Sequence, residues 1–510
     1  MPSPRRNRCR WPAALLLAAA LAGCSRGEDG ATRVLVIGDQ PPVLGTAGSE
    51  PANEASAVLR GAIAQGLVRF DEAGQIDPGL AERWNVSDDG SSFIFRLATQ
   101  NWPTGEKITA RDVARMLNAM RQARPGQATR DAIGAIDEVV PMTDRVIEIR
   151  LTAPRPNLLA LLAEPDFALI RDGEGTGPFA LVPARSKPGG PLLLRHTEPG
   201  RDGDDSAAEE VSLGVAPAAP AIARFAAGEV DLVLGGTVDD LPLATAAKLA
   251  RGTLRFDPVA GLFGLVPGRR DGPAADPRLR RILSQAIDRD ALVRSLGVPG
   301  LSGRATLLQG GLYAMPDPTQ PPWLAQPLDQ RRAALIAAAH AVRPAPKPGP
   351  KTKPTAGNAP LIAPEPLTLA LPATPGGDLL LARLRADWGP LGFAVDRAAP
   401  GRPADFTLVD KVAPSDSAAW FLRQFRCDWT PVCEPKADPL LDAARGTQVP
   451  LQRTLLLVQA AQMMDEAQLF IPLAAPVRWS LVARTLPGFQ ENRYARHPLA
   501  GLKDRPGASN

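Results

Sequence analysis

Histidines, cysteines and carboxylates are the residues through which this 510-residue chain could do chemistry, and their spacing decides what kind. The three histidines, His196, His340 and His497, are far apart and stand in no H-E-x-x-H or comparable frame. The G-x-S-x-G at Gly23 to Gly27 follows no strand, so it cannot be a nucleophile elbow. Gly175-Thr176-Gly177 has the glycines of a phosphate cradle without the spacing of G-x-G-x-x-G or of a P-loop, and Pro178 removes a backbone donor. It reads as a turn feeding a strand at Phe179. Carboxylates are numerous, yet no nucleophile stands with a nearby base. These residues give no signal for turnover, and none for a metal; a hydrolase stays open as an alternative.

The cysteines point to a compartment. Arg5, Arg6, Arg8 and Arg10 precede the apolar run Trp11 to Ala22, which has the length of a signal-peptide core and is too short to span a bilayer. Leu21-Ala22-Gly23-Cys24 ends it and resembles the bacterial lipobox. That resemblance implies a signal peptide over residues 1–23 and a lipid on Cys24, hence a periplasmic or cell-envelope protein tethered to a membrane. Cys9 leaves with the leader, and Cys427 and Cys433 remain, in FRCDWTPVC. Outside the cytoplasm two nearby cysteines usually pair, so a Cys427–Cys433 disulfide is expected. The spacing is not C-x-x-C, which weakens a redox or zinc reading. The net charge of +4 comes from 58 basic and 54 acidic residues, and the leader's four arginines are the whole excess. A nucleic-acid binder would carry its basic excess in the folded part, so nucleic acid is not expected as a partner.

Several elements must position whatever site the chain has. At 45% hydrophobic and 22% charged the chain is globular, and its length calls for more than one core. The densest signals run from Gly66 to Met120. Asp88-Asp89-Gly90 is a turn, and Phe93, Phe95 and Leu97 then alternate with Ile94 and Arg96 as a strand with one buried face. Trp102-Pro103 and Gly105 break the chain. Thr109 stands at a helix N-cap with Asp112 three residues on, and Val113, Met116, Leu117 and Met120 form one apolar helix face. Further strands are expected at Val34 to Ile37, Val146 to Leu151, from Leu367, and at Phe470 to Leu473. Helices are expected at Ala57 to Leu67, Pro156 to Ala163, Leu379 to Trp388 and Thr454 to Leu469. Asp276-Pro277 opens a helix whose core face is Leu279, Ile282, Leu283, Ala286 and Ile287, with Arg278, Arg280 and Arg281 on a solvated face. Val342 to Pro366, centred on PAPKPGPKTKP, cannot bury a core and reads as an exposed insertion.

The order of these residues carries more than their local signals. GLVRFDEAGQIDPGLAERWNVSDDG, then Phe95, Leu97, Trp102, Gly105 and Thr109-Ala110-Arg111-Asp112-Val113, resembles the family 5 extracellular solute-binding proteins, which serve ABC importers of peptides, nickel and related solutes. The run departs from the family pattern at Ile63, where that has Ala, and at Ala98, where it has Arg. GTGPF at 175–179, FAAGEVD from Phe225, DPRLRRILSQAIDR from Asp276 and Ile471-Pro472-Leu473 are similar to family segments as well. The resemblance implies an α/β, two-lobed periplasmic-binding-protein-like fold of type II, in the large family 5 subclass with an extra subdomain. Lobe I would take residues 24–57, 172–255 and 473–510, the additional subdomain 58–171, and lobe II 256–472 with the Pro/Lys-rich insertion at 342–366. A small, peptide-like solute would lie between lobes that close about a hinge, for delivery to ABC transporter permease subunits. The same fold could serve a sensor or scaffold lipoprotein without transport, which a neighbouring permease gene would distinguish; an extracytoplasmic hydrolase is the further alternative.

One departure bears on the solute. Peptide-binding members typically show W-x-x-D-Y-P-D-P after a strand, the first Asp pairing with the peptide's amine. The matching place here is Asp410 to Ser417, DKVAPSDS: Asp410 takes the place of the Trp, Ala413 that of the amine-pairing Asp, and Asp416 that of the second Asp. The Arg that holds a dipeptide carboxylate in some relatives has no counterpart in Leu371 to Asp378. Unpaired buried charge costs several kcal/mol, so a free dipeptide should bind poorly and a longer peptide or another solute is expected. Asp410, Asp416 and Trp420 are the pocket candidates, although Asp416 reads equally as a turn residue.

Overall fold

The computed structural model describes residues 30–46, 49, 51–122, 133–183, 189–197, 209–342, 347–348, 361–362 and 365–504. Its chain folds into two lobes and a smaller subdomain, each built on its own sheet. We call lobe I the part on a seven-stranded sheet, in the order Leu254–Phe256, Arg478–Val482, Leu232–Thr237, Thr32–Ile37, Glu210–Ala216, Leu192–His196, Phe179–Leu181. The three central strands run parallel. Their apolar runs, such as Val34-Leu35-Val36 and Leu232-Val233-Leu234, are buried throughout, as strands covered on both faces must be. Lobe II stands on five strands, Val395–Arg397, Leu367–Ala370, Phe406–Val412, Gly261–Pro267 and Ile471–Ala474.

The subdomain is an antiparallel four-stranded sheet, Ala81–Val86, Ser92–Leu97, Val146–Leu151 and Ile136–Thr143, packed with the helix Ala110–Gln122. Phe93, Phe95 and Leu97 are buried and Ile94 is exposed, as period-two alternation requires. Each such buried Phe contributes about 1.5–3 kcal/mol of transfer free energy. The helix begins as its sequence foretells: Asp112 N–H donates to Thr109 Oγ1 at 3.2 Å, and the hydroxyl donates back to Asp112 Oδ2 at 2.6 Å. Val113, Leu117 and Met120 are buried in this core.

The lobes are joined where two strands cross side by side. Leu254–Phe256 pairs antiparallel with Arg478–Val482 in lobe I, and their continuations Gly261–Pro267 and Ile471–Ala474 pair antiparallel in lobe II. Asp257 N–H donates to Arg478 O at 3.0 Å, holding the two connections together. Gly261 has no substitute there, because a Cβ would stand 2.0 Å from Lys411 O. One apolar cluster runs through the crossing, from Leu35, Val233 and Trp479 to Phe263, Leu283 and Trp388.

Where the structure differs from expectation, packing accounts for it. Arg280, expected on a solvated helix face, is buried and donates to the carbonyls of Gln468, Ala467, Ala274 and Ala275 at 2.6 to 2.8 Å. It ties the helix Pro277–Ala286 to the end of the helix Pro450–Glu466. Gly175 and Gly177 press on the end of the helix Glu54–Ile63, where a Cβ would come within 2.4 to 2.5 Å of backbone oxygens. That close approach, not anion binding, is what these glycines serve. Most of 342–366 lies outside the described residues; within it Lys347–Pro348 pairs antiparallel with Leu361–Ile362.

Candidate functional site

The crossing strands leave a cleft between the lobes, and two cavities occupy it. The inner one, of ≈ 230 Å³, lies beside the crossing. Glu54 and Val58 line it from the helix Glu54–Ile63, Gly235 to Thr237 and Arg478 to Ser480 from the lobe I sheet, Val412 from lobe II, and Tyr494 to His497 from the C-terminal segment. The outer one, of ≈ 280 Å³, lies between the subdomain and lobe II. The turn Asp88-Asp89-Gly90 and residues 154–157 form one wall; Tyr313 to Met315, Asp416 to Ala419 and residues of three lobe II helices form the other. Arg493 and Asp416 approach to 3.6 Å between the two cavities. Next to them Tyr494 stacks on Phe70 of the subdomain, with ring centroids 4.7 Å apart.

Charged groups of both signs converge here from separate elements. Arg478, in the lobe I sheet, donates Nη1 to both carboxylate oxygens of Asp410, in the lobe II sheet, at 2.9 and 3.0 Å. Burial pushes the Asp410 carboxyl up from its ordinary value, and Arg478 pulls it back. Arg496 stands between Glu164 at 3.1 Å and Glu54 at 3.4 Å. Burial raises the Glu164 pKa against the pull of Arg496; burial also works against the Arg496 charge, but the two glutamates outweigh it and hold that charge in place. His497 Nε2 lies 3.1 Å from Asp257 Oδ2, and Asn492 N–H donates to Asp257 Oδ1 at 2.9 Å. The segment from Asn492 to His497 thereby fastens lobe I, the subdomain and the crossing to one another. Among the described residues no group of three or more His, Cys, Asp or Glu could hold a metal ion. A half-buried cleft with fixed positive and negative groups can orient a solute that carries both charges.

The expected site residues fall in different places. Asp416 lines the outer cavity. Asp410 stands behind Arg478, which lines the inner one. Trp420 turns away from both: it is 6% exposed, packed edge-to-face on Phe421 in the lobe II core. In the helix Ala418–Arg423 it is Ala418, Ala419 and Arg423 that line the cavity. Cys427 and Cys433 are joined as a disulfide with Cα atoms 5.1 Å apart. Cys24 lies outside the described residues.

Sequence reasoning passed over Arg478, Arg493 and Arg496. Arg478 offered a signal, a single charge in Pro476-Val477-Arg478-Trp479-Ser480-Leu481-Val482, where a buried strand should be apolar. Arg493 and Arg496 offered none, because only the fold brings them to Asp416, Glu54 and Glu164.

Residues 75–396 match the family described as bacterial extracellular solute-binding proteins, family 5 Middle. The chain belongs to this family. A curated relative, the probable di/tripeptide-binding protein 5 of Pseudomonas aeruginosa (strain UCBPP-PA14), is 24% identical over 493 residues, covering 85% of this chain and 88% of its own. The murein tripeptide binding protein MppA of Escherichia coli superposes with a TM-score of 0.73 at 18% identity, over 92% of this chain and 97% of its own. Burkholderia pseudomallei OppA gives 0.72 at 17% identity, over 92% and 98%. This family 5 protein therefore shares the two-lobed fold of solved binding proteins almost end to end. Among its described residues no helix is long and apolar enough to cross a membrane.

Proposed function

We propose that this family 5 protein binds a peptide or peptide-like solute in the interlobe cleft and delivers it to the permease subunits of an ABC importer. The observation that carries the reading is the pair of aspartate–arginine contacts across the cleft, Asp410 with Arg478 and Asp416 with Arg493, which set fixed charges of both signs on either side of the solute's place. At the outer, better solvated pair an amine can exchange for Arg493 at Asp416 as the lobes open and close, while the deep pair stays closed. Family membership supports binding rather than turnover, and relatives named for di- and tripeptides and for murein tripeptide support the solute class. Ala413, where peptide-binding relatives place their amine-pairing Asp, is buried and its N–H is taken by Ala260 O at 2.8 Å. A free dipeptide therefore lacks its usual anchor, and a longer solute is the better fit.

Mass spectrometry of gently purified protein should reveal a copurifying peptide-like molecule, and calorimetry should give weak binding for simple dipeptides and tight binding for longer ones. Micromolar or tighter binding of simple dipeptides would show that the charge partners are assigned wrongly. We further propose that the mature protein begins at a lipid-modified Cys24 and works in the periplasm or cell envelope, held to a membrane by that lipid. Labelling with a fatty-acid analogue should tag the wild type and not Cys24→Ser; equal labelling of both would end the idea.

A further inference from the structure

A third cavity, of ≈ 140 Å³, stands back to back with the inner one, and Glu54, Val58, Arg496 and His497 line both. It lies between the helix Glu54–Ile63, the subdomain and the C-terminal segment. The lining runs along that helix from its first residue, Glu54, to its C-cap, Ala64, about 15 Å at 1.5 Å per residue. So small a volume over such a length makes a narrow slot, the shape of an unbranched chain. Ala57, Val58 and Gly61, with Val68 and Phe70 of the subdomain, give it an apolar wall. A Cβ at Gly61 would meet no atom within 4 Å, so the slot is open beside it.

Its charged wall is acidic. Five carboxylates line the cavity: Glu54, Asp71, Glu72, Asp77 and Glu164. Two guanidiniums stand with them, Arg69 and Arg496. Arg69 is taken by Asp77 at 3.3 Å, and Glu54 and Glu164 share Arg496. Asp71 accepts Gln75 N–H in its own turn, and among the described residues no cation pairs with Asp71 or Glu72. The charges behind the lining do not supply the difference. His497 is turned to Asp257, Arg255 to Glu491 and Arg493 to Asp416, and Arg60 and Asp166 act on each other. Even with Glu164 neutralised by burial, four carboxylates stand against two guanidiniums. A second observation points the same way. Gln65, 8% exposed, lines the slot past the end of the helix. Its Nε2 donates to Thr176 O at 2.7 Å and Gln100 Oε1 at 3.3 Å, while its Oε1 accepts from none of the described residues and is left to the cavity. A buried acceptor without a donor costs about 1–3 kcal/mol.

We propose that this slot is a subsite for a basic side chain of the solute, so that the preferred solute is a peptide-like molecule carrying a lysine- or arginine-like residue. This rests on the peptide reading above. Glu54 stands where the slot meets the inner cavity, at the place where a solute held there can pass a side chain through. Arg496 holds Glu164 at 3.1 Å and Glu54 at 3.4 Å, and the Glu54 side chain is 41% exposed against 12% for Glu164. Glu54 is therefore the partner that a second cation can take, while Arg496 stays on Glu164. The methylene stem lies along the apolar wall, as long basic side chains bury their stems. The volume, well below roughly 300 Å³ for ligand pockets, admits one side chain rather than a whole peptide.

The test uses the full chain and trialanine carrying lysine, or norleucine, at each position in turn. Norleucine keeps the unbranched stem and lacks the charge. The peptides and trialanine itself are titrated calorimetrically into wild type, Glu54→Gln and Gly61→Leu. At one position wild type should prefer lysine to norleucine by about tenfold or more, which corresponds to 1.4 kcal/mol per factor of ten. Glu54→Gln should lose that preference. Gly61→Leu, which fills the slot and replaces a glycine inside a helix, should bring the lysyl and norleucyl peptides down to the affinity of trialanine. Urea midpoints of the same samples show that each variant is folded. Equal binding of lysyl and norleucyl peptides by wild type at every position overturns the subsite and leaves the peptide reading standing. So does a lysine preference that survives both substitutions. Binding of none of the peptides by folded wild type removes both readings.

Discussion

Two aspartate–arginine pairs span the same cleft and are built for different work. Asp410 and Arg478 lie deep, with side chains 19% and 18% exposed and two contacts of 2.9 and 3.0 Å. Asp416 and Arg493 lie at the division of the two cavities, 33% and 55% exposed and 3.6 Å apart. The deep pair is desolvated in place, so neither partner can leave without stranding the other. The outer pair keeps much of its water and loses little when it parts. The comparison teaches that the inner end of the cleft is a fixed clamp on the crossing strands, and the outer end a contact that can open to a solute.

Breaking the deep pair should have the largest effect. Asp410→Ala leaves Arg478 buried without its carboxylate and should destabilise the protein by about 3–5 kcal/mol. Urea unfolding followed by Trp fluorescence measures it. Adding Arg478→Met should restore most of the loss, because the stranded charge goes with it. A double variant no better than Asp410→Ala would show that the pair is not coupled in this way.

The next effect comes from another carboxyl buried without full compensation, on the helix Pro450–Glu466. Asp465 accepts Leu307 N–H at 3.0 Å and is pushed up to about 6 by burial, with that hydrogen bond and Arg304 opposing. A carboxyl raised in the folded state contributes stability that is fully present below its ordinary value near 4 and is lost as pH rises through about 6. Wild type should therefore lose on the order of 2 kcal/mol between pH 4.5 and pH 7.5 relative to Asp465→Asn, whose amide oxygen still accepts from Leu307. Parallel pH profiles for the two proteins would mean that Asp465 titrates normally.

The disulfide gives a covalent scale for the two ion pairs. Cys427 and Cys433 close a loop with a sequence separation of 6, for which loop entropy gives about 2 kcal/mol. Cys427→Ser with Cys433→Ser should fall between the deep and the outer pair in its effect on the urea midpoint. Peptide mapping without reductant should find the two cysteines linked in exported protein, and free thiols at both would rule the bridge out.

Much of the fold was legible because the subdomain's elements carry period and caps in their own residues: Phe93, Phe95 and Leu97 alternate, and Thr109 caps the helix that packs on them. The lobes were legible through short segments such as Asp276-Pro277 and Gly175 to Phe179, whose order resembles the family's. The cleft was legible only in part. Asp410 and Asp416 lie on the segment that the resemblance pointed to, but their partners lie 68 and 77 positions further on, where no local period announces them. Trp420 misled because an aromatic beside a candidate pocket and an aromatic in the core look alike until the helix phase is known. Arg280 misled for the converse reason, since its buried acceptors are carbonyls of distant segments and the sequence records no pattern for them.

The smallest effect on stability should carry the clearest functional signal. Arg493→Ala removes a half-exposed partner at 3.6 Å, so the cost should stay below about 1 kcal/mol and shrink further at high salt. The same change removes the contact that must part when a solute runs from the inner to the outer cavity. Solute dissociation should therefore change while the unfolding midpoint barely moves, and the affinity for an amine-bearing peptide should rise as Asp416 is released to bind it. Arg493→Lys should resemble wild type. Stopped-flow Trp fluorescence with a tripeptide and urea titration on the same samples separate the two quantities. If Arg493→Ala destabilises as much as Asp410→Ala, or leaves solute kinetics untouched, the division of the cleft into a fixed inner clamp and an exchangeable outer contact does not hold.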